Sequence, residues 1–463
     1  MQEFSTTSQS PIAENTHITM ESATRAVYRV VASVTTRRWQ WTAMTCLVAV
    51  TGPASALAIS SIGGSCNSSS RSCSSFQRGL SATGSNGNSE AENPASSSFT
   101  THSSLSELLK EFDYDALILD QFGVLHNGKD ALEGTIDCVE TIASGEITDD
   151  DADDATQKKL QLIVLSNTSS PASTTLDRLH TKLGFDRSYF CGAVTSGEEA
   201  GRHIRETYGN NHNKQKSKFV WCTWDVTNEN VPDPNAFLDL CGPNVEPTVD
   251  VSDADFVVAH GSGAIRGFGK NNNNAETEII SMGSFLDDGN LGKGTPINAL
   301  LEECADRNLP LVCANPDMVV QYHDGSLKHM PGKIAQRYKE ILEEQRSSSN
   351  KVDDDDDSLP PAPSITIYGK PHTEHFEACL RELEENNNDK EEPLRVAHVG
   401  DSLHHDIAGA NASGVPSIFI VGGIHAEELL SDKDQKMPSE TKLKEFFDKE
   451  GITPTHVLSV FNY

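Results

Sequence analysis

Three features of the chain predict a doubly wound, parallel-sheet α/β core of the Rossmann-like kind with an inserted α/β cap domain. Short, wholly apolar runs end in polar tips, strand-like and helix-like segments alternate up to about residue 202, and 463 residues exceed the usual size of one hydrophobic core. The first run, Ala116-Leu117-Ile118-Leu119, has the continuous hydrophobicity of a strand covered on both faces. Asp120-Gln121-Phe122-Gly123 follows it directly, which puts a carboxylate at the strand's C-terminal tip.

The elements divide the chain into four stretches. Residues 1–105 read as a targeting presequence and a disordered Ser-rich linker, 106–202 as the first half of the core, 203–309 as the inserted cap, and 310–463 as the second half of the core. In the first stretch no acidic residue occurs from Ser22 to Ser89, and Arg25, Arg29, Arg37 and Arg38 precede the apolar stretch Ala43 to Ala58. That stretch is broken by Gly52-Pro53 and ends in Ala56-Leu57-Ala58, the layout of a signal peptide, and it is too short to span a membrane. The Ser- and Gly-rich segment after it, with Arg71 and Arg78, has the composition of a transit peptide. An organellar address follows, with a plastid favoured over a mitochondrion.

In the core, Leu162-Ile163-Val164-Leu165 leads to Ser166-Asn167-Thr168, Ile365-Thr366-Ile367-Tyr368 leads to Gly369-Lys370-Pro371, and Val396-Ala397-His398-Val399-Gly400 leads to Asp401. In the cap, Phe219-Val220-Trp221-Cys222 and Asp255-Phe256-Val257-Val258-Ala259 read as strands. Pro310-Leu311-Val312-Cys313-Ala314 is expected to begin the return to the core. Amphipathic helices are expected over 333–346 and 372–385, a small-residue helix from Ala408, and a further strand over Pro416 to Val421.

Four strand-terminal polar groups in one α/β sheet converge where such sheets collect ligands. Asp120, Asp401 and Asp406 supply an oxygen-only cluster of the kind Mg²⁺ prefers, Ser166 supplies a hydroxyl and Lys370 a cation. A phosphate site explains all four economically.

Their order and spacing resemble the haloacid dehalogenase-like hydrolases, and the gap between Ser166 and Lys370 resembles their class IIA branch of sugar, nucleotide and p-nitrophenyl phosphatases. Thr195-Ser196-Gly197-Glu198-Glu199-Ala200, Asn315-Pro316-Asp317 and Gly369-Lys370-Pro371 add to the likeness. The resemblance implies Asp120 as nucleophile and Ser166, Asn167 and Lys370 at the phosphoryl group. It implies Mg²⁺ on Asp120, the Phe122 carbonyl, Asp401 and Asp406. The substrate it implies is a small phosphorylated metabolite such as a nucleotide, a sugar phosphate or an acyl phosphate. A homodimer is an assembly the chain allows.

Phe122 departs from that pattern, because phosphatases of the superfamily usually carry a second Asp there to protonate the leaving oxygen. An aromatic ring moves no proton, and general acid–base help is worth ~10²–10⁴-fold. His126, in the same loop, is the candidate substitute. The alternative is a catalytically weakened homologue that binds a metabolite or a protein. His404 and His405, between the two acidic ligands, read as surface residues, and His260-Gly261-Ser262-Gly263 as either a site-facing loop or a turn.

A formal charge of −31 argues against nucleic acid as a partner. The acidity lies beyond residue 100 and is partly concentrated in Asp149 to Asp154 and Asp353 to Asp357, which read as solvated insertions without the loop Gly and spacing of a Ca²⁺ site. The ten cysteines form no CxxC pair and read as reduced thiols, with Cys191 and Cys313 in core packing.

Overall fold

The computed structural model describes residues 98–145, 158–210, 216–226, 231–268, 277–281, 295–321, 327–349, 361–387, 392–430 and 437–463. The presequence and both Asp runs lie outside them.

The first sheet has seven strands in the order Thr100–Thr101, His456–Leu458, Ser417–Ile420, Val396–Gly400, Ala116–Leu119, Gln161–Ser166, Phe190–Thr195. Every neighbouring pair is parallel. Alternate side chains face opposite ways along a strand, so each strand feeds two cores. Leu117, Leu119 and Val399 pack with Leu105, Val139, Ile142 and Leu179 on one side. Ala116, Ile118, Ile163 and Leu165 pack with Phe376, Cys379, Leu383 and Ala410 on the other. Double coverage is why these strands read as unbroken apolar runs.

The chain winds outward from the centre in both directions. After Ala116–Leu119 it adds Gln161–Ser166 and Phe190–Thr195 on one side, and after Val396–Gly400 it adds Ser417–Ile420 and His456–Leu458 on the other. The two central strands are neighbours with Leu119 opposite Val399, so Asp120 and Asp401 leave the sheet together at its topological switch point.

The inserted sheet is larger than the expected 203–309. Its order is Ile365–Ile367, Leu311–Cys313, Phe256–Ala259, Ser217–Thr223, Val245–Thr248, Ala264–Phe268, Thr277–Ser281. The first five strands run parallel and the last two form an antiparallel ribbon. Leu311–Cys313 and Ile365–Ile367 therefore belong to the insertion, and the return to the core comes at Lys370 with the helix Thr373–Glu385. The sequence hides this boundary because a strand buried on both faces has the same apolar pattern in either sheet. The expected first boundary shifts too: Thr100–Thr101 pairs with His456–Leu458, and Ser104 caps the helix Leu105–Glu111 by accepting from the Glu107 N–H.

The helix expected over 333–346 spans Pro331–Ser349. A five-residue π-turn, Leu403–Ile407, precedes the small-residue helix Ala408–Ala412. Among the described residues seven cysteines are free; Cys313 is buried and Cys191 half-buried. No described helix is long and apolar enough to cross a membrane.

Candidate active site

Four segments deliver a cluster of charges to the carboxyl end of the first sheet. Asp120 follows its strand, anchored by its N–H donating to the Val399 carbonyl at 2.9 Å. Asp401 follows the neighbouring strand and accepts from the Ile424 N–H at 2.7 Å. Asp406 sits in the π-turn, a local irregularity common at functional sites, and accepts from the Ser402 N–H at 3.0 Å and from His398 Nε2 at 2.9 Å. Lys370 Nζ donates to Asp120 Oδ1 at 2.5 Å and to Asp406 Oδ1 at 2.7 Å. All four side chains are buried.

Backbone without side chains makes this density of charge possible. A Cβ on Gly123 would lie 1.9 Å from Asp401 Oδ2, and Gly123 has φ +83°, so the turn after Asp120 needs glycine for both space and conformation. Gly423 is similarly pressed against Asp401, where a Cβ would lie 2.2 Å from Oδ2.

The charges do not balance within the cluster. One oxygen from each of Asp120, Asp401 and Asp406 lies within 4.8 Å of the others, and one ammonium stands among them. Burial pushes Asp120 up to about 7 against the pull of Lys370, with Asp406 adding to the rise. Burial and the neighbouring Asp120 and Asp406 push Asp401 well up. Burial also opposes ionisation of Asp406, but Lys370 and His398 prevail and hold it below the usual carboxylate range. Three oxygen donors with surplus negative charge are a donor set that fits a small, hard divalent cation.

Ser166 ends its strand on the same side of the sheet and is buried, with its Oγ accepting from the Thr168 N–H at 3.2 Å. Asn167, expected at the phosphoryl group, has both ends of its side chain bonded within the protein. Its Oδ1 accepts from the Lys370 N–H at 2.7 Å, and its Nδ2 donates to Asp317 Oδ1 at 2.8 Å. Its role is to hold the Lys370 backbone against the core, across 203 residues of sequence.

Phe122 stands 40% exposed in the Asp120 loop. The His126 ring lies edge-on to it, with centroids 6.1 Å apart. His126 Nδ1 accepts from the Gly128 N–H at 2.9 Å, leaving the ring proton on Nε2, and burial beside Arg178 lowers its pKa to about 4. It is a neutral imidazole at physiological pH.

Two groups went unassigned in the sequence, and a third, His405, was placed at the surface. His398 lies mid-strand, where a lone His carries no signal of the carboxylate it touches. Asp317 was visible in Asn315-Pro316-Asp317 but had no readable partner. His405, expected at the surface, is half-buried with its Nδ1 3.4 Å from Asp317 Oδ1, whereas His404 is exposed beside Glu450. Ser262 of the His260 loop donates to the His329 carbonyl, which ties that loop to the ribbon Val319–Gln321 and Leu327–His329.

Comparison with known proteins bears on the same residues. No curated protein sequence matches the chain. Among solved structures it is similar to a haloacid dehalogenase-like hydrolase from Brucella suis, with 21% identity over 78% of this chain and 99% of that one and a TM-score of 0.49. It is similar to a possible sugar phosphatase from Cytophaga hutchinsonii, at 15% identity over 79% and 100% with a TM-score of 0.49. It is also similar to a p-nitrophenyl phosphatase from Archaeoglobus fulgidus, at 17% identity over 74% and 95% with a TM-score of 0.43. The HAD-hydrolase-like family model matches residues 367–442. That match falls on the stretch that holds Lys370, Asp401 and Asp406.

Proposed function

We propose that the chain is a Mg²⁺-dependent phosphohydrolase of the class IIA type, acting on a small phosphorylated metabolite through an aspartyl-phosphate at Asp120. The buried contact of Asp120 with Lys370, beside Asp401 and Asp406, carries this reading. An Asp attacking phosphorus drives charge onto the equatorial oxygens, so the nucleophile must stand next to fixed positive charge. Asp120, Asp401 and Asp406, with the Phe122 carbonyl, would hold the metal, which when bound adds positive charge at the phosphoryl oxygens.

Asp120 attacks as the bond from phosphorus to the leaving oxygen breaks, and water then cleaves the aspartyl-phosphate to release inorganic phosphate and restore the carboxylate. Lys370 meets the phosphoryl oxygens with charge and the Ser166 hydroxyl with a hydrogen bond. The Asn167 clamp on the Lys370 backbone keeps that ammonium aimed.

Phe122 narrows the substrate, because nothing at its position can protonate a poor leaving group. Acyl phosphates and anhydrides, whose leaving groups need little protonation, fit better than alkyl esters. The same residue favours the second reading, a weakened homologue that binds a metabolite or protein. A Mg²⁺-supplemented screen of acyl phosphates, nucleotides and sugar phosphates, with Asp120→Asn as control, separates the two. Turnover lost in Asp120→Asn is expected; no turnover of any substrate with ligand binding retained in the mutant selects the binding protein. Delivery to a plastid is part of the proposal, and a fluorescent fusion of the full chain found in mitochondria would overturn that part.

A further inference from the structure

We propose that the inserted sheet carries a second anion site, built by Trp221 and Arg266, which takes the phosphate or carboxylate group of a small molecule. The two residues are direct cross-strand partners in the antiparallel pair of Ser217–Thr223 with Ala264–Phe268. The Arg266 guanidinium carbon lies 5.6 Å from the centre of the Trp221 ring. Trp221 is 2% exposed and Arg266 half-buried.

What singles the pair out is its hydrogen bonding. Trp221 Nε1 and Arg266 Nε and Nη1 are buried, and among the described residues none of the three has an acceptor. Buried donors in native proteins nearly always find partners, and a guanidinium without one is the costliest to leave. Other arginines reach several acceptors: Arg337 bonds Asn298, Glu340 and Glu344 and leaves only Nη2 without one, Arg307 bonds two backbone carbonyls, and Arg395 pairs with Asp113 and Asp115. Among the described residues, a guanidinium with two nitrogens unfilled beside an indole N–H without an acceptor points to an acceptor supplied from outside.

The chemistry of the pair selects the occupant. All three groups are donors and one is cationic, a set that an oxyanion completes and that a cation or a neutral donor cannot. The guanidinium lies over the ring in a cation–π contact, which leaves the hydrogen-bonding capacity of Nε and Nη1 unfilled. Phe237 backs the site, stacked on Trp221 with centroids 6.5 Å apart. Directly after the strand, Trp224 Nε1 donates to Ser169 Oγ at 2.9 Å, so the chain that carries Trp221 meets the core three residues from Ser166. The anion is either a distal group of the substrate or a separate effector; the site itself uses no residue of the proposed phosphohydrolase centre.

Calorimetric titration of the full chain with inorganic phosphate tests the site. Arg266→Gln is expected to weaken one class of phosphate binding by about tenfold or more, the effect of losing a charge-assisted, multidentate donor. Trp221→Phe, which keeps the ring and removes the N–H, is expected to weaken the same class by a few fold and serves if Arg266→Gln does not fold. Isotherms identical to wild type in both variants overturn the proposal, as does a wild type that binds no phosphate. With a turned-over substrate, a raised KM at unchanged kcat in Arg266→Gln assigns the anion to the substrate. Unchanged KM with weakened phosphate binding assigns it to an effector. The titration needs no turnover, so its result stands whether or not the chain proves to be a phosphohydrolase.

Discussion

Lys370→Met keeps the length of the aliphatic stem and removes the ammonium that stands among three buried carboxylates. Lys370 Nζ lies 2.5 Å from Asp120 and 2.7 Å from Asp406, and its side chain is 3% exposed. Removing one partner of a buried ion pair costs about 3–5 kcal/mol, because the other charge stays buried without its counter-charge. The pH dependence fixes the sign. In the folded chain burial holds Asp120 up at about 7, above the ordinary carboxylate value, so the folded state binds that proton more tightly than the unfolded one. The stability linked to it is full at low pH and is lost as pH rises through about 7. Lys370 restrains the rise of both Asp120 and Asp401, and without it both stay protonated to higher pH in the folded state. The deficit of Lys370→Met against wild type must therefore widen with pH. Thermal unfolding of both proteins at about pH 5 and about pH 8, each in EDTA and in Mg²⁺, reads this directly. The expected outcome is a small difference at the lower pH, a clearly lower melting temperature for the variant at the higher pH, and partial recovery there with Mg²⁺. Equal melting at the higher pH in EDTA would refute the reasoning.

Phe122→Asp places a proton carrier two residues after the nucleophile, and hydrolysis of an alkyl phosphate should rise by roughly 10²–10⁴-fold; steady-state rates that stay flat would show that the missing acid is not what limits the enzyme. Gly123→Ala forces a methyl group to within 1.9 Å of Asp401 Oδ2 at φ +83°, a backbone strain of about 1–3 kcal/mol. Mg²⁺ affinity measured by calorimetry should fall with it, and an unchanged affinity would separate Asp401 from the metal site. Asn167→Leu leaves the buried Lys370 N–H without its acceptor, at about 1–3 kcal/mol. Its kcat should drop by at least about tenfold while Mg²⁺ affinity holds, and a wild-type kcat would remove Asn167 as a positioning residue.

The groups at the strand tips were legible because a polar residue that ends an apolar run keeps its meaning in one dimension. Asp120, Ser166, Lys370 and Asp401 each follow such a run, and in the structure Lys370 bonds Asp120 while Asp401 lies beside both. Sheet membership is a different kind of fact. Leu311–Cys313 pairs with Phe256–Ala259 and Ile365–Ile367, and nothing in Leu-Val-Cys distinguishes those partners from the strands of the core. The return point was therefore misplaced although the strand itself was found.

Side-chain pairings fail for the same reason, since they are set by register between distant segments. Asn167 meets Asp317 across 150 residues, and Trp221 meets Arg266 only because one antiparallel pairing aligns them. In sequence Trp221 reads as one more apolar residue of a strand, and its N–H has significance only once no acceptor is found beside it. Phe122 is the opposite case, a residue whose meaning lies wholly in its position after Asp120. The loop places its ring half in solvent, next to a neutral His126, and so offers a leaving group an apolar edge where a phosphomonoesterase would offer a proton. On the proposed phosphohydrolase reading, catalysis would then draw on Lys370 and the carboxylate cluster rather than on proton transfer at Phe122, which would tie the choice of substrate to the acidity of its leaving group.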